Sequence, residues 1–259
     1  MMLKDKAAVI YGAGGGIGGA FAREGAAVFV TGRLRAPAEA VAADIVAAGG
    51  SAEAAEVDAL DEEAVDRHLR SVIDQAGRVD ISFNAVGIPD TDILGVPLVE
   101  LEAGQFSLPI TAYTTSYFLT ARLAARHMIP NGSGVIMTVT ALPARKGTAL
   151  NGGYGAAMAA KEALTRDLSA ELAPRGIRVV SLRPHGMPET STMREVFDAK
   201  AKAAGLTWEQ FAGYLAGDTH PRRVMALEEM ANVAAFVASY QASGMTGTTV
   251  NLTMGSLDD

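Results

Sequence analysis

Short apolar segments alternate with longer, alanine-rich amphipathic segments along the whole chain. The apolar segments predict seven strands, at residues 6–11, 26–31, 51–57, 78–83, 134–139, 177–182 and 248–252. The longer segments predict helices near residues 36–48, 61–76, 105–128, 153–173 and 227–239. Strands and helices that alternate in this way form right-handed βαβ units. We therefore expect an α/β fold with a doubly wound, seven-stranded parallel sheet and helices on both faces.

Four of the predicted strands are almost entirely apolar, as strands covered by helices on both faces should be: residues 6–11, 79–83, 135–139 and 178–182. No linker or repeat divides the sequence, so we expect one domain over residues 1–259. The longest irregular segment, residues 186–224, carries several glycines and prolines and follows the carboxyl end of a strand. Such a segment is typical of a lid over a ligand crevice or of a variable surface loop.

Composition and charge narrow the function classes. The net charge of -7 gives no reason to expect nucleic acid or an anionic membrane as a partner. The absence of cysteine excludes disulfides, thiolate catalysis and cysteine-bound metal, and it agrees with a reducing cytoplasm. No apolar run reaches the roughly 18 residues of a membrane helix, and no histidines stand at metal-ligand spacing. We expect a cytoplasmic enzyme or binding protein without a metal ion.

A glycine-rich segment, residues 11–18 (YGAGGGIG), directly follows the first predicted strand and precedes a helix. Glycines allow a tight turn and let the backbone approach a pyrophosphate, whose charge the N-terminus of the following helix stabilises. The place of this segment after the first strand of an alternating α/β chain predicts a dinucleotide site.

This segment, with Gly12, Gly16, Ile17 and Gly18, resembles the nucleotide loop of the short-chain dehydrogenase/reductase family. Further motifs of that family follow in order: Asp58 after the third strand, residues 84–87 (NAVG) after the fourth, Tyr154 at the start of a helix, residues 176–179 (GIRV) and residues 242–247 (ASGMTG). The resemblance covers nearly the whole chain. It implies a Rossmann fold, a nicotinamide dinucleotide cofactor, a small-molecule substrate, and a homodimer or homotetramer.

The resemblance also implies which residues hold the cofactor. They are Gly12, Gly16, Ile17, Gly18, Asp58, Asn84, Gly87, Pro184, His185 and Thr190. The second strand is followed by Arg33 and has no acidic residue at its end, where NAD-preferring members carry one. Since Arg33 can face a 2′-phosphate in bidentate fashion, NADP is favoured over NAD; alternatively, Arg33 is a solvated loop residue.

Family chemistry uses a tyrosine as general acid or base, a lysine one helical turn later, a serine at the end of the fifth strand and an asparagine on an earlier helix. An ammonium about 4 Å from the phenol contributes roughly 4 kcal/mol at an effective dielectric of 20, which lowers a tyrosine pKa by about three units. In this sequence only the tyrosine, Tyr154, stands in its place. The lysine, serine and asparagine positions hold Met158, Ala141 and Tyr113.

Several residues are candidates to replace the missing lysine. Lys161 lies seven residues after Tyr154, on the same helix face but about 10.5 Å further along the axis, or it is a surface lysine. His185 occupies the place of a family glycine and has a side chain suited to acid–base work, unless it only packs under the lid. Arg145 and Lys146 would bring positive charge from a loop, unless they are only a solvated pair. For the altered serine position, Thr140 would supply a hydroxyl only if the strand end shifted by one residue.

Two functions therefore stay open from the sequence. The first is an NAD(P)-dependent oxidoreductase that acts on a small-molecule carbonyl or alcohol, with Tyr154 and Lys161 as catalytic residues. The second is a non-redox or catalytically impaired family member that binds a dinucleotide or another small molecule. The three altered positions favour the second function, whereas the glycine-rich segment favours the first.

Overall fold

The protein is described from a computed structural model, which covers residues 1–12, 15–88 and 93–258. Ala13 and Gly14 of the glycine-rich segment lie outside the described residues. The described residues form seven strands: β1 Ala7–Tyr11, β2 Ala27–Gly32, β3 Ser51–Glu56, β4 Ile81–Asn84, β5 Gly134–Val139, β6 Ile177–Pro184 and β7 Thr248–Leu252. The α-helices of the described residues are α1 Gly15–Arg23, α2 Arg35–Ala47, α3 Glu62–Ala76, α4 Ala103–Met128, α5 Tyr154–Leu172, α6 Ser191–Ala203, α7 Trp208–Gly217 and α8 Leu227–Ala238.

The strands form one sheet in the order β3-β2-β1-β4-β5-β6-β7, and every neighbouring pair is parallel. This confirms the predicted fold class. The strand order reverses direction between β1 and β4, and ligands of doubly wound sheets bind at the carboxyl ends of the strands beside such a point.

Side chains that alternate along β1 point to two separate apolar cores. Ala8 and Ile10 pack with α1, α2 and α8 on one face. Val9 and Tyr11 pack with α3 and α4 on the other face. Because both faces of the central strands are covered, their almost wholly apolar sequences are explained, and the predicted burial of these strands is confirmed.

The prediction of an irregular segment at residues 186–224 is wrong, since this segment contains α6 and α7. Thr190 caps α6 by accepting a hydrogen bond from the Met193 amide, 3.3 Å away. Thr207 and Gln210 form a reciprocal capping box at the start of α7. The glycines on which the prediction of an irregular segment depends lie at the ends of α6 and α7 or on the helix surface, and they do not interrupt either helix. No helix of the described residues is long and apolar enough to cross a membrane.

Candidate functional site

A crevice of about 1030 Å³ runs along the carboxyl ends of the central strands and continues beneath α6 and α7. Most of the residues predicted to form the site line it: Gly12, Gly16, Ile17, Arg33, Asp58, Gly87, Tyr154, Pro184, His185 and Thr190. Three others, Gly18, Asn84 and Lys161, do not line it within the described part of the chain. The crevice is large enough for a dinucleotide and a substrate together, since pockets for drug-sized ligands measure about 300–1,000 Å³.

The glycine-rich segment passes close to the loop after β4 and to the start of α8. Gly12 has a φ of 95°, and a Cβ atom there would overlap the carbonyl oxygen of Ala85. A Cβ atom on Gly16 would lie 2.6 Å from Cγ of Leu227. Only glycine allows this approach at Gly12, and the exposed backbone at Gly12 forms a glycine cradle that fits the close approach of a pyrophosphate.

One end of the crevice is formed by residues that follow β2 and β3, where the sequence analysis expects the adenosine of the cofactor. Asp58 follows β3, and its Oδ1 accepts a hydrogen bond from the Leu60 amide at 2.9 Å, which fixes the orientation of the carboxylate. Gly32 ends β2, and the exposed Arg33 follows it at the edge of the crevice. The chemistry of these residues fits a dinucleotide whose ribose carries a phosphate.

Asn84 is buried behind the wall of the crevice and does not line it, so its side chain does not face the space that a cofactor would occupy. Its Nδ2 donates to Thr120 Oγ1 at 3.2 Å, and its Oδ1 accepts from Lys161 Nζ at 3.4 Å. The side chain is therefore directed toward α4 and α5. Asn84 is buried at the end of β4, and Gly87 of the loop that follows lines the crevice.

Tyr154 is the first residue of α5, and the chain before it is tightly constrained. A Cβ atom on Gly153 would overlap the carbonyl oxygen of Phe106, so the N-termini of α4 and α5 approach each other closely. The ring of Tyr154 stands edge to face against that of Tyr113, with 5.6 Å between centroids and 75° between planes. The Tyr113 hydroxyl accepts a hydrogen bond from the Ile88 amide at 3.4 Å.

An apolar cluster surrounds Tyr154 and includes the three residues that the sequence analysis aligned with the family's other catalytic positions. Met158 is only 2% exposed and packs with Tyr113, Ala157 and Ala141 in this cluster. Tyr113, Ala141 and Met158 also line the crevice. The structure thus brings the three altered positions together around Tyr154, and all three present carbon-rich surface.

Lys161 is 1% exposed, so the interpretation of it as a surface lysine is wrong. Its Nζ donates to the carbonyl oxygen of Val139 at 2.8 Å and lies 5.7 Å from the ring centroids of both Tyr113 and Tyr117. Burial lowers the pKa of this amine to about 7. Lys161 therefore lies beneath the aromatic pair of the site, one layer away from the crevice.

A buried ion pair beside Lys161 is absent from the sequence-based prediction. Glu162 Oε1 and Oε2 accept hydrogen bonds from Arg183 Nε and Nη2 at 2.7 and 2.9 Å. The Thr140 hydroxyl donates to the same carboxylate at 3.1 Å, with the Leu182 carbonyl oxygen at 3.2 Å. The hypothesis that Thr140 offers its hydroxyl to a substrate through a shifted strand end is wrong, because β5 keeps its register with β6 and the hydroxyl is engaged.

His185 belongs to a chain of polar groups that joins α7 to the crevice. Its Nε2 lies 3.8 Å from Asp218 Oδ2, and Asp218 Oδ1 accepts from Lys146 Nζ at 2.6 Å. Nδ1 of His185 has no hydrogen-bond partner among the described residues. Burial lowers the pKa of His185, and the opposing effect of Asp218 is smaller. Sequence reasoning missed Asp218, because its partners are far away in the chain.

The described residues contain no group of three or more His, Cys, Asp or Glu side chains that could hold a metal ion. His127 instead lies 3.6 Å from Asp66, and His68 is partly buried on α3, where burial lowers its pKa to about 4. Neither residue is near the crevice lining.

Comparisons with known proteins agree in fold and in extent. A family model described as enoyl-(acyl carrier protein) reductase matches residues 7–256. The uncharacterized oxidoreductase YxbG of Bacillus subtilis is 32% identical over 249 residues, which cover 95% of this chain and 88% of the relative. The 7alpha-hydroxysteroid dehydrogenase of Escherichia coli K12 is 28% identical over 263 residues, covering 100% of this chain and 97% of the relative.

Among solved structures, the crystal structure of an NAD+-bound xylitol dehydrogenase superposes with a TM-score of 0.89 at 27% sequence identity. The alignment covers 98% of this chain and 100% of that chain. The similarity therefore includes every element of the sheet and the helices around it.

Proposed function

Since this chain belongs to the short-chain dehydrogenase/reductase family, we propose that it is an NAD(P)-dependent oxidoreductase acting on a carbonyl or alcohol group of a small molecule. One observation carries the proposal: Tyr154 and the glycine cradle at Gly12 open onto the same crevice. When bound there, the nicotinamide cofactor supplies the hydride chemistry. The named substrates of the relatives range from a polyol to a steroid, so their substrates do not carry over.

We assign the cofactor to the residues that line the crevice. The backbone around Gly12 and Gly16 would hold the pyrophosphate, and Asp58 would meet the adenine. Arg33 favours NADP over NAD, because the end of β2 offers a cation to a 2′-phosphate and no carboxylate to the ribose hydroxyls. Pro184, His185 and Thr190 would border the nicotinamide.

We propose that Tyr154 is the catalytic residue, which donates a proton to the substrate oxygen during reduction or removes it during oxidation. Lys161 acts as a positioning residue: its amine joins Asn84 to the Val139 carbonyl and supports the ring of Tyr113, which in turn packs on Tyr154. In this arrangement any positive charge on Lys161 reaches the phenol through an aromatic ring and not by direct contact.

We also propose that residues 186–224 act as a lid and that the protein is a cytoplasmic homodimer or homotetramer. The lid is supported by α6 and α7, whose residues form one side of the crevice. The assembly is supported by apolar side chains on α4 that are exposed in the single chain, Phe106, Leu108 and Phe118. Light scattering on the purified protein tests the assembly.

A non-redox function is the second candidate, and the apolar cluster around Tyr154 favours it. Without a charge at Met158, the phenol lacks the neighbour that family chemistry uses to favour its ionised form. The crevice would then bind a dinucleotide or another small molecule without hydride transfer.

Fluorescence titration with NADPH and NADH, followed by turnover of an aldehyde and ketone panel, separates the two candidates. We expect NADPH binding, and we expect Tyr154→Phe to reduce turnover by about 10²–10⁴-fold while the cofactor still binds. Tyr240→Phe is the matched control, because Tyr240 is 88% exposed and outside the crevice lining. Absence of cofactor binding, or full activity of Tyr154→Phe, would exclude the proposed oxidoreductase mechanism.

A further inference from the structure

We propose that the crevice beside Tyr154 binds apolar, ring-bearing ketones and the corresponding alcohols, and discriminates against polyols and ketoses. The inference deepens the proposed function, on which its carbonyl chemistry rests. Three observations support it: the apolar inner wall of the crevice, the apolar face of the lid that covers it, and the hydrogen bonds that nearby polar side chains make within the protein.

The inner wall is made of carbon-rich side chains. Tyr113 and Met158 are 5% and 2% exposed, and they pack with Ala141, Ile88 and Tyr154 in one apolar cluster. All of these residues line the crevice. Aromatic carbon of Tyr113 therefore borders the crevice next to the Tyr154 phenol, and Met158 offers a polarisable thioether that adapts to ring shapes.

The lid presents a second apolar cluster to the same space. Phe197 of α6 and Phe211 of α7 are buried, with their ring centroids 5.7 Å apart. Tyr214 continues this aromatic row, 6.2 Å from Phe211. These three rings line the crevice together with Leu94. A ligand beneath the lid thus lies between aromatic rings on the lid and Tyr113 on the wall.

Several polar side chains on the crevice surface are already engaged within the protein. Thr140 donates to Glu162, Lys146 is paired with Asp218, and Asn151 Oδ1 accepts from Lys200 Nζ at 2.7 Å. Thr190 Oγ1 caps α6. A ligand hydroxyl would compete with these internal bonds for the donors and acceptors of the four side chains.

The energetic consequence differs between two ligand classes. A ligand whose ring lies between Tyr113, Met158 and Phe211 gains affinity in proportion to the apolar area that binding removes from water. A polyol hydroxyl that lies against these three side chains would exchange its hydrogen bonds to water for contact with carbon, at a cost of roughly tenfold to hundredfold in affinity. The crevice therefore selects on polarity close to the reacting carbon.

Equilibrium binding of two ketones tests the inference: 1-tetralone, a bicyclic aromatic ketone, and xylulose, a polar ketose. Isothermal titration is performed on the protein saturated with NADP+, because an oxidised cofactor cannot reduce a ketone. Constant absorbance at the NADPH wavelength during the titration checks that the hydroxyl groups of xylulose are not oxidised. We expect 1-tetralone to bind at least about thirtyfold more tightly than xylulose. Equal or tighter binding of xylulose, or no binding of either ketone at millimolar concentration, would overturn the inference.

The same two titrations without cofactor separate this inference from the proposed function. If NADP+ does not bind but 1-tetralone still binds in preference to xylulose, the oxidoreductase proposal fails and the apolar site stands. If NADP+ binds and the preference is absent, the site inference fails and the cofactor assignment stands.

A pair of methionine substitutions locates the binding to the crevice wall. Met158→Gln places an amide of similar size in the wall and should weaken 1-tetralone binding by about tenfold or more. Met245→Gln is the matched control, since Met245 is partly buried outside the crevice lining, and it should leave the affinity unchanged. An equal loss in both variants, or no loss in Met158→Gln, contradicts the assignment; if Met158→Gln fails to fold, the two-ketone comparison on the wild type decides.

Discussion

The two halves of the crevice differ in how closely they follow the family pattern. At the dinucleotide half, where we propose that the cofactor binds, Gly12, Gly16 and Asp58 line the crevice, and Gly12 leaves no room for a Cβ atom beside the Ala85 carbonyl oxygen. At the substrate half, Tyr154 is present, but its neighbours at positions 113, 141 and 158 are apolar. Both halves are built on strands of the same parallel sheet, so the difference lies in side chains and not in architecture.

The comparison shows that backbone and side-chain functions respond differently to sequence change. The cradle depends on glycine conformations and close chain contacts, and a change there would disturb the sheet itself. The substrate half depends on a few side chains that α5, β5 and α4 carry, and these can be exchanged while the fold is kept. The buried Lys161 and the Glu162–Arg183 pair show that the substrate half has acquired other charged groups, one layer behind the crevice.

The largest expected effect concerns Lys161, because its pKa falls from 10.5 to about 7 in the folded protein. The folded state therefore binds fewer protons than the unfolded state between these two values, and stability rises with pH across that window. Relative to Lys161→Met, the wild type should gain about 3 kcal/mol in free energy of unfolding between about pH 7 and about pH 9.5.

Urea denaturation of both proteins across this range measures the difference. The substitution also removes the hydrogen bond to the Val139 carbonyl, so the test uses the change of the difference with pH and not its absolute value. A difference that does not change with pH would show that Lys161 is not a destabilised cation. It would also remove one difference between the two halves of the crevice, namely that only the substrate half has a buried amine that destabilises the fold.

Gly12→Ala should break the dinucleotide half. The added Cβ atom meets the Ala85 carbonyl oxygen, and the positive φ adds strain of about 1–3 kcal/mol. We expect NADPH affinity to fall by about a hundredfold or more, measured by fluorescence titration, since the cradle must shift. Gly77→Ala is the control, because Gly77 has a similar φ of 79° but nothing within 4 Å of its added Cβ; it should lose stability and keep NADPH affinity.

Met158→Lys should make the substrate half resemble the family pattern. An ammonium one helical turn after Tyr154 favours the ionised phenol, so we expect carbonyl reduction to increase by about 10–100-fold in a steady-state assay. Ala156→Lys adds the same charge at an exposed position of α5 and should change the rate little. A fast wild type that Met158→Lys slows would show that the apolar neighbour is part of an efficient mechanism.

Arg33→Ala should give the smallest effect, limited to the choice of cofactor. Loss of a cation beside the 2′-phosphate should weaken NADPH by about tenfold and leave NADH nearly unchanged. Arg35→Ala is the control, since the Arg35 guanidinium pairs with Glu39 at 2.6 Å on α2 and is outside the crevice lining. Equal losses for NADPH and NADH would place Arg33 elsewhere than at the phosphate.

The sequence pattern was sufficient for the strands and for most helices, because apolar periodicity reports which faces are covered. β5 and β7 have the predicted bounds, and the other predicted elements differ by three residues or fewer at either end. The two helices of residues 186–224 were missed, since glycines at 205, 213 and 217 were interpreted as breaks. Two threonine caps, at Thr190 and Thr207, were the available signal for these helices.

The candidate site was predictable where residues close in sequence form it. The glycine cradle, Asp58 and Tyr154 each follow directly after a strand or begin a helix, so local register places them. The pairing of Lys146 with Asp218 joins residues 72 positions apart, and that of Glu162 with Arg183 joins different elements. Helical spacing places Lys161 on the same face of α5 as Tyr154. It does not reveal which residues of other elements pack against that face.

By itself, the sequence determined the parallel sheet, the position of the dinucleotide cradle and the presence of a tyrosine at the start of α5. Backbone periodicity and glycine conformations are local properties, and a chain with this pattern has few ways to bury its apolar faces. Only the tertiary structure decided that Lys161 is buried under Tyr113, that Met158 closes an apolar wall and that Asp218 reaches His185. These outcomes depend on which surfaces helices and sheet press together, and that packing excludes water from an amine whose sequence context is typical of a surface helix.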